Sequence, residues 1–165
     1  EGGIDCVAML AYLSGSIEFA QDGGKGWRRH LRPFLEQTLG HQVYDPAEDE
    51  KKNLSEEEVA HFRSWKTTDL KRFRRTVRKI IDFDLELIQE RADYVVCYWD
   101  AGAGRGAGTQ AELTAAYRKG IPVYLVTELP VEEVSGWVLG CAEKLFASFE
   151  ELRSHLLATY KQRRG

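Results

Sequence analysis

The sequence of 165 residues contains no apolar run near 18 residues, the length that a membrane-spanning helix needs. Its three cysteines, Cys6, Cys97 and Cys141, lie far apart and form no CxxC or Cys/His pattern that favours zinc. An odd and unpatterned set of cysteines is typical of a reducing compartment, so we expect a cytoplasmic protein. The net charge of -3 gives no general attraction to nucleic acid or to an anionic membrane. We therefore expect no metal, no membrane association and no nucleic-acid partner.

The chain also lacks a secretion-signal pattern, an internal repeat and a linker that would divide it. Hydrophobic residues make up 43% of the chain and charged residues 30%, as in an ordinary globular protein. We expect residues 1–8 to be a disordered or expression-derived N-terminus and residues 9–165 to form a single domain.

Short apolar runs alternate with segments of helical periodicity along the whole chain. The runs predict five strands, at residues 7–13, 41–44, 94–99, 121–126 and 144–146. Helices are predicted at residues 27–39, 70–91, 109–119, 131–139 and 149–160, with a further helix start at Ser55. Because the strands are apolar throughout, both faces of the sheet are expected to be covered. The prediction is an α/β three-layer sandwich with a five-stranded parallel sheet, Rossmann-like and in flavodoxin-like order.

Ligands of such folds bind outside the carboxyl ends of the strands, where three polar segments are predicted. In the first, Ser14, Gly15 and Ser16 form a turn whose N–H groups suit an anion, although a plain strand–helix turn also explains it. The second is the Asp45-Pro46 pair. In the third, at residues 100–109, glycines alternate in neither the P-loop nor the dinucleotide pattern. Such a loop either lets a ligand approach the backbone closely or is a flexible connector.

Two carboxylates are candidates for chemistry. The run from Thr109 to Glu112 has the pattern of a capping box, with Thr109 as the N-cap and Glu112 at N3. Glu112 is therefore either a helix cap or a first-turn carboxylate that faces a ligand and is kept ionised by the helix dipole. Asp84 lies far enough before the strand at 94–99 to reach the same sheet edge, on the apolar face of its helix.

The segment at residues 45–58 is acidic and predicts an exposed loop, whereas residues 63–79 carry a run of lysines and arginines. The basic run is typical of a solvated helix face. It also has the charge to meet the acidic segment.

Several sequence blocks occur in an ordered set: YLSGSI at 12–17, DLELI at 84–88, ADYVV at 92–96, GTQAEL at 108–113 and KGIPV at 119–123. This set resembles the nucleoside 2-deoxyribosyltransferase superfamily, including its deoxynucleotide N-glycosidase branch. The resemblance covers most of the chain. It implies a single domain that cleaves or transfers the N-glycosidic bond of a nucleoside or nucleoside 5′-monophosphate, without a cofactor, as a homo-oligomer of two or more chains.

The resemblance also implies roles for individual residues. Glu112 matches the catalytic nucleophile, and Asp84 matches the aspartate that assists at the base or sugar. Tyr12 matches an active-site tyrosine, Ser16 a phosphate-contacting serine and Asp100 a second acidic residue. The residues expected to bind substrate are Tyr12, Ser14, Gly15, Ser16, Asp100, Gly106, Gly108 and Thr109.

Three positions depart from the family pattern. Gly106 stands near a serine of the nucleotide branch, and residues 141–143 replace an asparagine that transferases donate across the subunit interface. The segment at residues 45–71 is longer than the family core. Two alternatives stay open: a nucleotide-sensing module without turnover, and a glycohydrolase that acts on a dinucleotide such as NAD.

A phosphate on the substrate is favoured by positive groups near the first turn. Ser16 lies in that turn, Lys25 and Arg28 follow it, and Arg105 lies in the glycine loop. If these groups gather, a 5′-monophosphate should bind at least about tenfold more tightly than the free nucleoside.

Overall fold

A computed structural model of the chain describes residues 7–161. Within this range five parallel strands form one sheet, in the order β2-β1-β3-β4-β5. The strands are β1 (Leu10–Gly15), β2 (Gln42–Tyr44), β3 (Tyr94–Tyr98), β4 (Val123–Val126) and β5 (Lys144–Phe146). The predicted fold class and flavodoxin-like strand order are confirmed. Cys6 and most of the predicted N-terminal segment lie outside the described residues.

Helices cover both faces of the sheet. They are α1 (Lys25–Pro33), α2 (Glu56–Thr68), α3 (Leu70–Glu90), α4 (Ala107–Arg118), α5 (Gly136–Cys141) and α6 (Phe149–Tyr160). A π-helical turn, Phe34–Thr38, extends α1, and short 3-10 turns occur at Ala103–Arg105 and Val131–Glu133. No helix within the described range is both long enough and apolar enough to cross a membrane.

The alternation of side chains along β1 divides the interior into two cores. Ala11 and Leu13 pack with residues of α1 and α6, whereas Leu10 and Tyr12 pack with residues of α3, α4 and α5. Tyr12 is completely buried in the second core. The Tyr12 side chain, with its hydroxyl group, is thereby directed toward α3 and α4.

The helix that begins at Ser55 is confirmed, and so is the pairing of acidic and basic segments. Ser55 Oγ accepts a hydrogen bond from Glu58 N–H, and Glu58 Oε2 accepts one from Ser55 N–H, which is a capping box. Glu57 pairs with Arg72, and Glu58 pairs with Lys79. These contacts hold α2 against α3.

Two of the sequence predictions, for the acidic segment and for residues 131–139, are wrong in part. The acidic segment is not exposed throughout, because Asp45 and Ala47 are buried where β2 ends. The helix expected at residues 131–139 is replaced by a 3-10 turn and the short helix α5, which begins only after Ser135.

Arg28 ties the carboxyl ends of β1 and β2 to the start of α1. Its guanidinium is fully buried and donates hydrogen bonds to the carbonyl oxygens of Leu13, Gly15 and Gly24 at 2.6–3.3 Å. Its Nε lies 3.5 Å from Asp45 Oδ1, and both side chains are buried. Burial lowers the pKa of Arg28, and the Asp45 carboxylate opposes that effect.

We predict that Arg28→Met destabilises the protein by about 3–5 kcal/mol, because it leaves the buried Asp45 carboxylate without its cation. Urea unfolding followed by circular dichroism measures the change. Arg29→Met, at the exposed neighbouring position, is the control and should unfold within about 0.5 kcal/mol of the wild type. Equal stability of the two variants would contradict the assigned role of Arg28.

Candidate active site

Polar side chains from three elements meet on the α3/α4 face, near the carboxyl edge of the sheet. Tyr12 and Ser14 lie two residues apart on β1, so their side chains point to the same face. Asp84 comes from α3 and Glu112 from α4. Tyr12 interacts electrostatically with both carboxylates, which brings the predicted residues Tyr12, Asp84 and Glu112 into one site.

Three buried side-chain atoms in residues 7–161 lack a hydrogen-bond partner: Tyr12 Oη, Ser14 Oγ and Glu112 Oε2. Leaving a buried polar atom unpaired costs about 1–3 kcal/mol, and such atoms are rare in folded proteins. All three belong to the predicted site. A bound ligand with hydroxyl or amine groups would supply the missing partners.

Asp84 is held by a lysine that the sequence prediction did not include. Lys52 Nζ lies 2.6 Å from Asp84 Oδ1 and 2.7 Å from Oδ2, and both side chains are largely buried. The Tyr44 hydroxyl, 5.3 Å from Tyr12 between ring centroids, also donates to Asp84 Oδ1 at 3.4 Å. Burial raises the pKa of Asp84 above its ordinary value, whereas Lys52 and Tyr44 lower it.

Glu112 titrates near neutral pH. Its pKa is raised to about 7, chiefly by burial and to a smaller extent by the negative charge of Asp84. Tyr12, Lys52 and Arg28 lower the pKa. The Tyr12 hydroxyl faces Glu112, although the two groups do not meet with hydrogen-bond geometry. At pH 7 the site therefore holds a carboxyl group that gains and loses a proton readily.

The predicted capping box at Thr109 is wrong. Helix α4 begins at Ala107 with Gly106 as the N-cap, because Gly106 adopts an extended conformation with φ -105° and ψ 142°. Thr109 is buried within the first turn, and Glu112 lies in the second turn, away from the helix end. Glu112 therefore caps nothing. The expectation that the helix dipole keeps it ionised gives way to a raised pKa caused by burial.

The glycine loop packs directly against the segment that follows β1. A Cβ atom at Gly102 would lie 3.0 Å from the Phe19 carbonyl oxygen, 3.2 Å from Ser16 Oγ and 3.3 Å from Asp100 Oδ1. Asp100 Oδ1 accepts a hydrogen bond from Ala103 N–H at 2.9 Å, so its carboxylate shapes the loop. Gly102 allows the close approach of the two segments.

The remaining predicted glycines differ in their surroundings. A Cβ atom at Gly106 would lie 3.5 Å from the Phe19 ring, whereas nothing lies within 4 Å of that position at Gly108. At Gly15, a Cβ atom would lie 3.1 Å from the Tyr98 carbonyl oxygen and 3.2 Å from the Trp27 ring. Packing therefore explains Gly15, whereas a Cβ atom at Gly106 would make only an ordinary contact and Gly108 borders open space.

Neither Arg28 nor the N–H groups at the start of α1 are free to bind a phosphate. Arg28 points inward and donates to backbone carbonyls. The start of α1 already holds a carboxylate, because Asp22 accepts hydrogen bonds from the N–H groups of Gly24 and Gly26, each at 2.8 Å. These two bonds lower the pKa of Asp22.

Three residues of the site, Tyr44, Asp49 and Lys52, were not predicted from the sequence. The Tyr44 hydroxyl shares its one proton between Asp84 Oδ1 and Asp49 Oδ2, at 3.4 Å and 3.2 Å, and Lys52 N–H donates to Asp49 Oδ1 at 3.2 Å. Pairing of β1 with β2 sets Tyr44 opposite Tyr12, a signal that a register prediction would have provided. Nothing in the charged run around Lys52 distinguishes it from Lys51. Within the described residues, no group of three or more His, Cys, Asp or Glu side chains is arranged to hold a metal ion.

Solved structures that share this architecture include the following two. One is a 2-deoxyribosyltransferase from the psychrotolerant bacterium Bacillus psychrosaccharolyticus, 21% identical, with a TM-score of 0.57 over 92% of this chain and 95% of that chain. The other is a conserved protein from Enterococcus faecalis V583, 18% identical, with a TM-score of 0.63 over 94% of this chain and 99% of that chain. The chain has the nucleoside 2-deoxyribosyltransferase-like fold. No protein-family model and no curated protein matches the sequence significantly.

We predict that Glu112 makes the stability of this fold depend on pH. Its ordinary pKa is 4.5 and its pKa in the folded protein is about 7, so the native state binds the proton more strongly. Stability is therefore full below about pH 4.5 and falls as the pH rises toward 7, by about 2–3 kcal/mol.

Glu112→Gln removes this titration. Urea unfolding of wild type and variant between pH 4.5 and 7.5 should show the variant gaining about 2–3 kcal/mol relative to the wild type as the pH rises. Parallel curves for the two proteins would mean that Glu112 is not buried as a neutral acid.

Proposed function

We propose that the protein cleaves or transfers the N-glycosidic bond of a nucleoside or nucleoside 5′-monophosphate, with Glu112 as the nucleophile. The observation that carries the proposal is the group of unpaired buried atoms, Tyr12 Oη, Ser14 Oγ and Glu112 Oε2, beside the second carboxylate, Asp84. Enzymes that cleave glycosidic bonds through an oxocarbenium-like transition state commonly use two carboxyl groups at one site.

In the first step the ionised Glu112 carboxylate attacks C1′ of the sugar. The C1′–N bond breaks and its electron pair leaves with the base, so that a glycosyl ester of Glu112 forms. The nucleophile has to be ionised, and Glu112 loses its proton near pH 7. The Tyr12 hydroxyl, which faces Glu112, helps to hold the carboxylate in position for attack.

Asp84, on the neighbouring helix α3, assists the reaction at Glu112. Its carboxylate positions a sugar hydroxyl, or its protonated form donates the proton that the departing base takes up, the two roles that its location beside Glu112 allows. Tyr44 and Lys52 fix its orientation through hydrogen bonds. The backbone of the glycine loop and Ser16 hold the 5′ end of the sugar.

In the second step an acceptor takes the sugar from Glu112. Attack of water at C1′ makes the enzyme a hydrolase, and attack by a nitrogen of a second base makes it a transferase. Either acceptor releases Glu112 as a free carboxyl group and needs no cofactor. The proportion of hydrolysis to transfer depends on which second base is supplied.

The fold that the chain shares with the Bacillus psychrosaccharolyticus 2-deoxyribosyltransferase supports this reaction class. A homo-oligomer and a cytoplasmic location stay predictions. Trp137, which is 67% exposed on α5 and donates to Thr114 Oγ1 at 2.8 Å, supports a contact with a second chain near the site.

We predict that Glu112→Gln binds substrate but releases no free base, because the amide is a poor nucleophile that has nearly the same shape. The measurement is chromatography of free base after incubation with a panel of nucleosides, their 5′-monophosphates and NAD. Wild-type release should increase as the pH rises through about 7.

Glu86→Gln, an exposed carboxylate on α3, is the matched control and should retain wild-type activity. Base release by a folded Glu112→Gln variant would refute the nucleophile assignment. Tight binding by the wild type without any release would favour a nucleotide-sensing module. Release of nicotinamide from NAD alone would favour a dinucleotide glycohydrolase.

We predict that a 5′-phosphate improves affinity by less than about tenfold, less than the sequence alone indicated. Asp22 already occupies the start of α1, and Arg28 is turned inward. Arg105 stacks on the Phe19 ring at 4.8 Å, and the Asp100 carboxylate lies beside Ser16 across Gly102.

Calorimetric titration of Glu112→Gln with a nucleoside and with its 5′-monophosphate, at two salt concentrations, tests this prediction. Ser16→Ala in the same background should change both affinities by a similar factor. A monophosphate that binds more than tenfold more tightly, with a preference that weakens in salt, would instead demonstrate a phosphate pocket.

A further inference from the structure

Lys52 reaches the candidate active site from the segment that joins β2 to α2. Its ammonium group contacts both oxygens of Asp84, at 2.6 Å and 2.7 Å, and only 8% of the lysine side chain is exposed. Asp84 is 15% exposed. An ion pair this buried differs from the surface pairs of α2, in which Lys66, Arg72 and Lys79 stay 40–53% exposed.

The backbone at Lys52 is held in an unusual conformation. Among the described residues other than glycine, Lys52 is the one with a positive φ, at 43°. Residues other than glycine rarely adopt a positive φ, and such conformations persist where surrounding contacts impose them. The contact is supplied by Asp49, whose Oδ1 accepts the Lys52 N–H, while its Oδ2 accepts the Tyr44 hydroxyl.

The segment that carries Lys52 is fixed at both ends. At its start, the buried Asp45 contacts Arg28 and accepts the N–H of Ala47 at 2.8 Å. After Lys52, the chain enters α2, and Lys66 on that helix pairs with Glu18 in the loop after β1 at 2.8 Å. The segment is therefore held by buried contacts where it leaves β2, and Lys52 joins it to α3 through Asp84.

We propose that Lys52 is a positioning residue of this active site, which holds the Asp84 carboxylate in one orientation and balances the negative charge that Asp84 places beside Glu112. The reaction named in this proposal rests on the proposed function. The ion pair and its effect on the two carboxyl groups do not.

The charge balance follows from the groups that face the two carboxyls. They are Tyr12 from β1, Arg28 from α1, Tyr44 from β2, Cys97 from β3, and Asp49 and Lys52 from the joining segment. The two cations differ in what they contact, because Arg28 is engaged with backbone carbonyls and Asp45. Without Lys52, Asp84 and Glu112 repel each other more strongly, and Glu112 keeps its proton to a higher pH.

Four variants test the proposal. Lys52→Met removes the charge. Lys52→Gly also removes it and accepts the positive φ without strain, which preserves folding if the methionine variant is unstable. Lys52→Arg retains a cation that can contact both carboxylate oxygens. Lys51→Met, at the exposed neighbouring lysine, is the matched control.

Two measurements are made on each variant. The first is the titration of Glu112 and Asp84 by carboxyl carbon NMR in the ligand-free protein, which requires no activity. The second is the pH profile of base release. For both charge-removing variants we expect the Glu112 midpoint and the acid limb of the profile to move up by about one pH unit, which lowers the rate at pH 7 about fivefold. Lys52→Arg and Lys51→Met should keep the wild-type midpoint.

A folded Lys52→Gly or Lys52→Met variant with the wild-type Glu112 midpoint and pH profile would overturn the proposal and leave the glycosidic reaction standing. A shifted Glu112 midpoint in proteins that release no base from any substrate would support the role of Lys52 and refute the proposed function. The arginine variant separates charge from packing, because loss of the wild-type midpoint in that variant would also contradict the charge argument.

Discussion

Burial of the Glu112 carboxyl group is the constraint to which the rest of the site responds. A carboxylate removed from water is costly unless cations or hydrogen bonds compensate, and Glu112 receives only part of that compensation. Tyr12, Lys52 and Arg28 favour its ionised form, whereas burial and Asp84 oppose it, with a resulting pKa of about 7. A group in this balance is neutral or charged at little cost, which suits a nucleophile that is repeatedly esterified and released.

The groups that compensate the charge of Glu112 are positioned by the carboxyl edge of the parallel sheet. Arg28 joins the ends of β1 and β2 and the start of α1, and its ion pair with Asp45 fixes the beginning of the segment that later supplies Lys52. Strand order sets Tyr12 between Tyr44 and Val95, so the tyrosines of β1 and β2 flank the carboxylates. The interactions that stabilise the fold at this edge therefore also determine where the charged groups of the site lie.

The strands and the long helix α3 could be predicted because apolar runs and helical periodicity are displayed directly by a sequence, and their alternation favours a parallel sheet with both faces covered. Asp84 was located for the same reason, since helix and strand rise per residue determine where it lies. The start of α4 was misplaced because Thr109 and Glu112 have capping-box spacing, whereas the backbone of Gly106 already begins the helix. Lys52 could not be identified, because its ion pair spans 32 residues and depends on a loop conformation without periodicity.

The two carboxyl groups are unequal in a way that assigns their roles. Asp84 has a cation in contact with both oxygens and a tyrosine hydroxyl as well, so its orientation is fixed. Glu112 has an oxygen without any partner in the described chain and interacts with its cations only at longer range. A carboxylate held by these three contacts is a weak nucleophile, and its remaining lone pair can accept a hydrogen bond from a substrate hydroxyl. The one with an unpaired oxygen is free to form a bond to carbon, and this asymmetry makes Glu112 rather than Asp84 the attacking group.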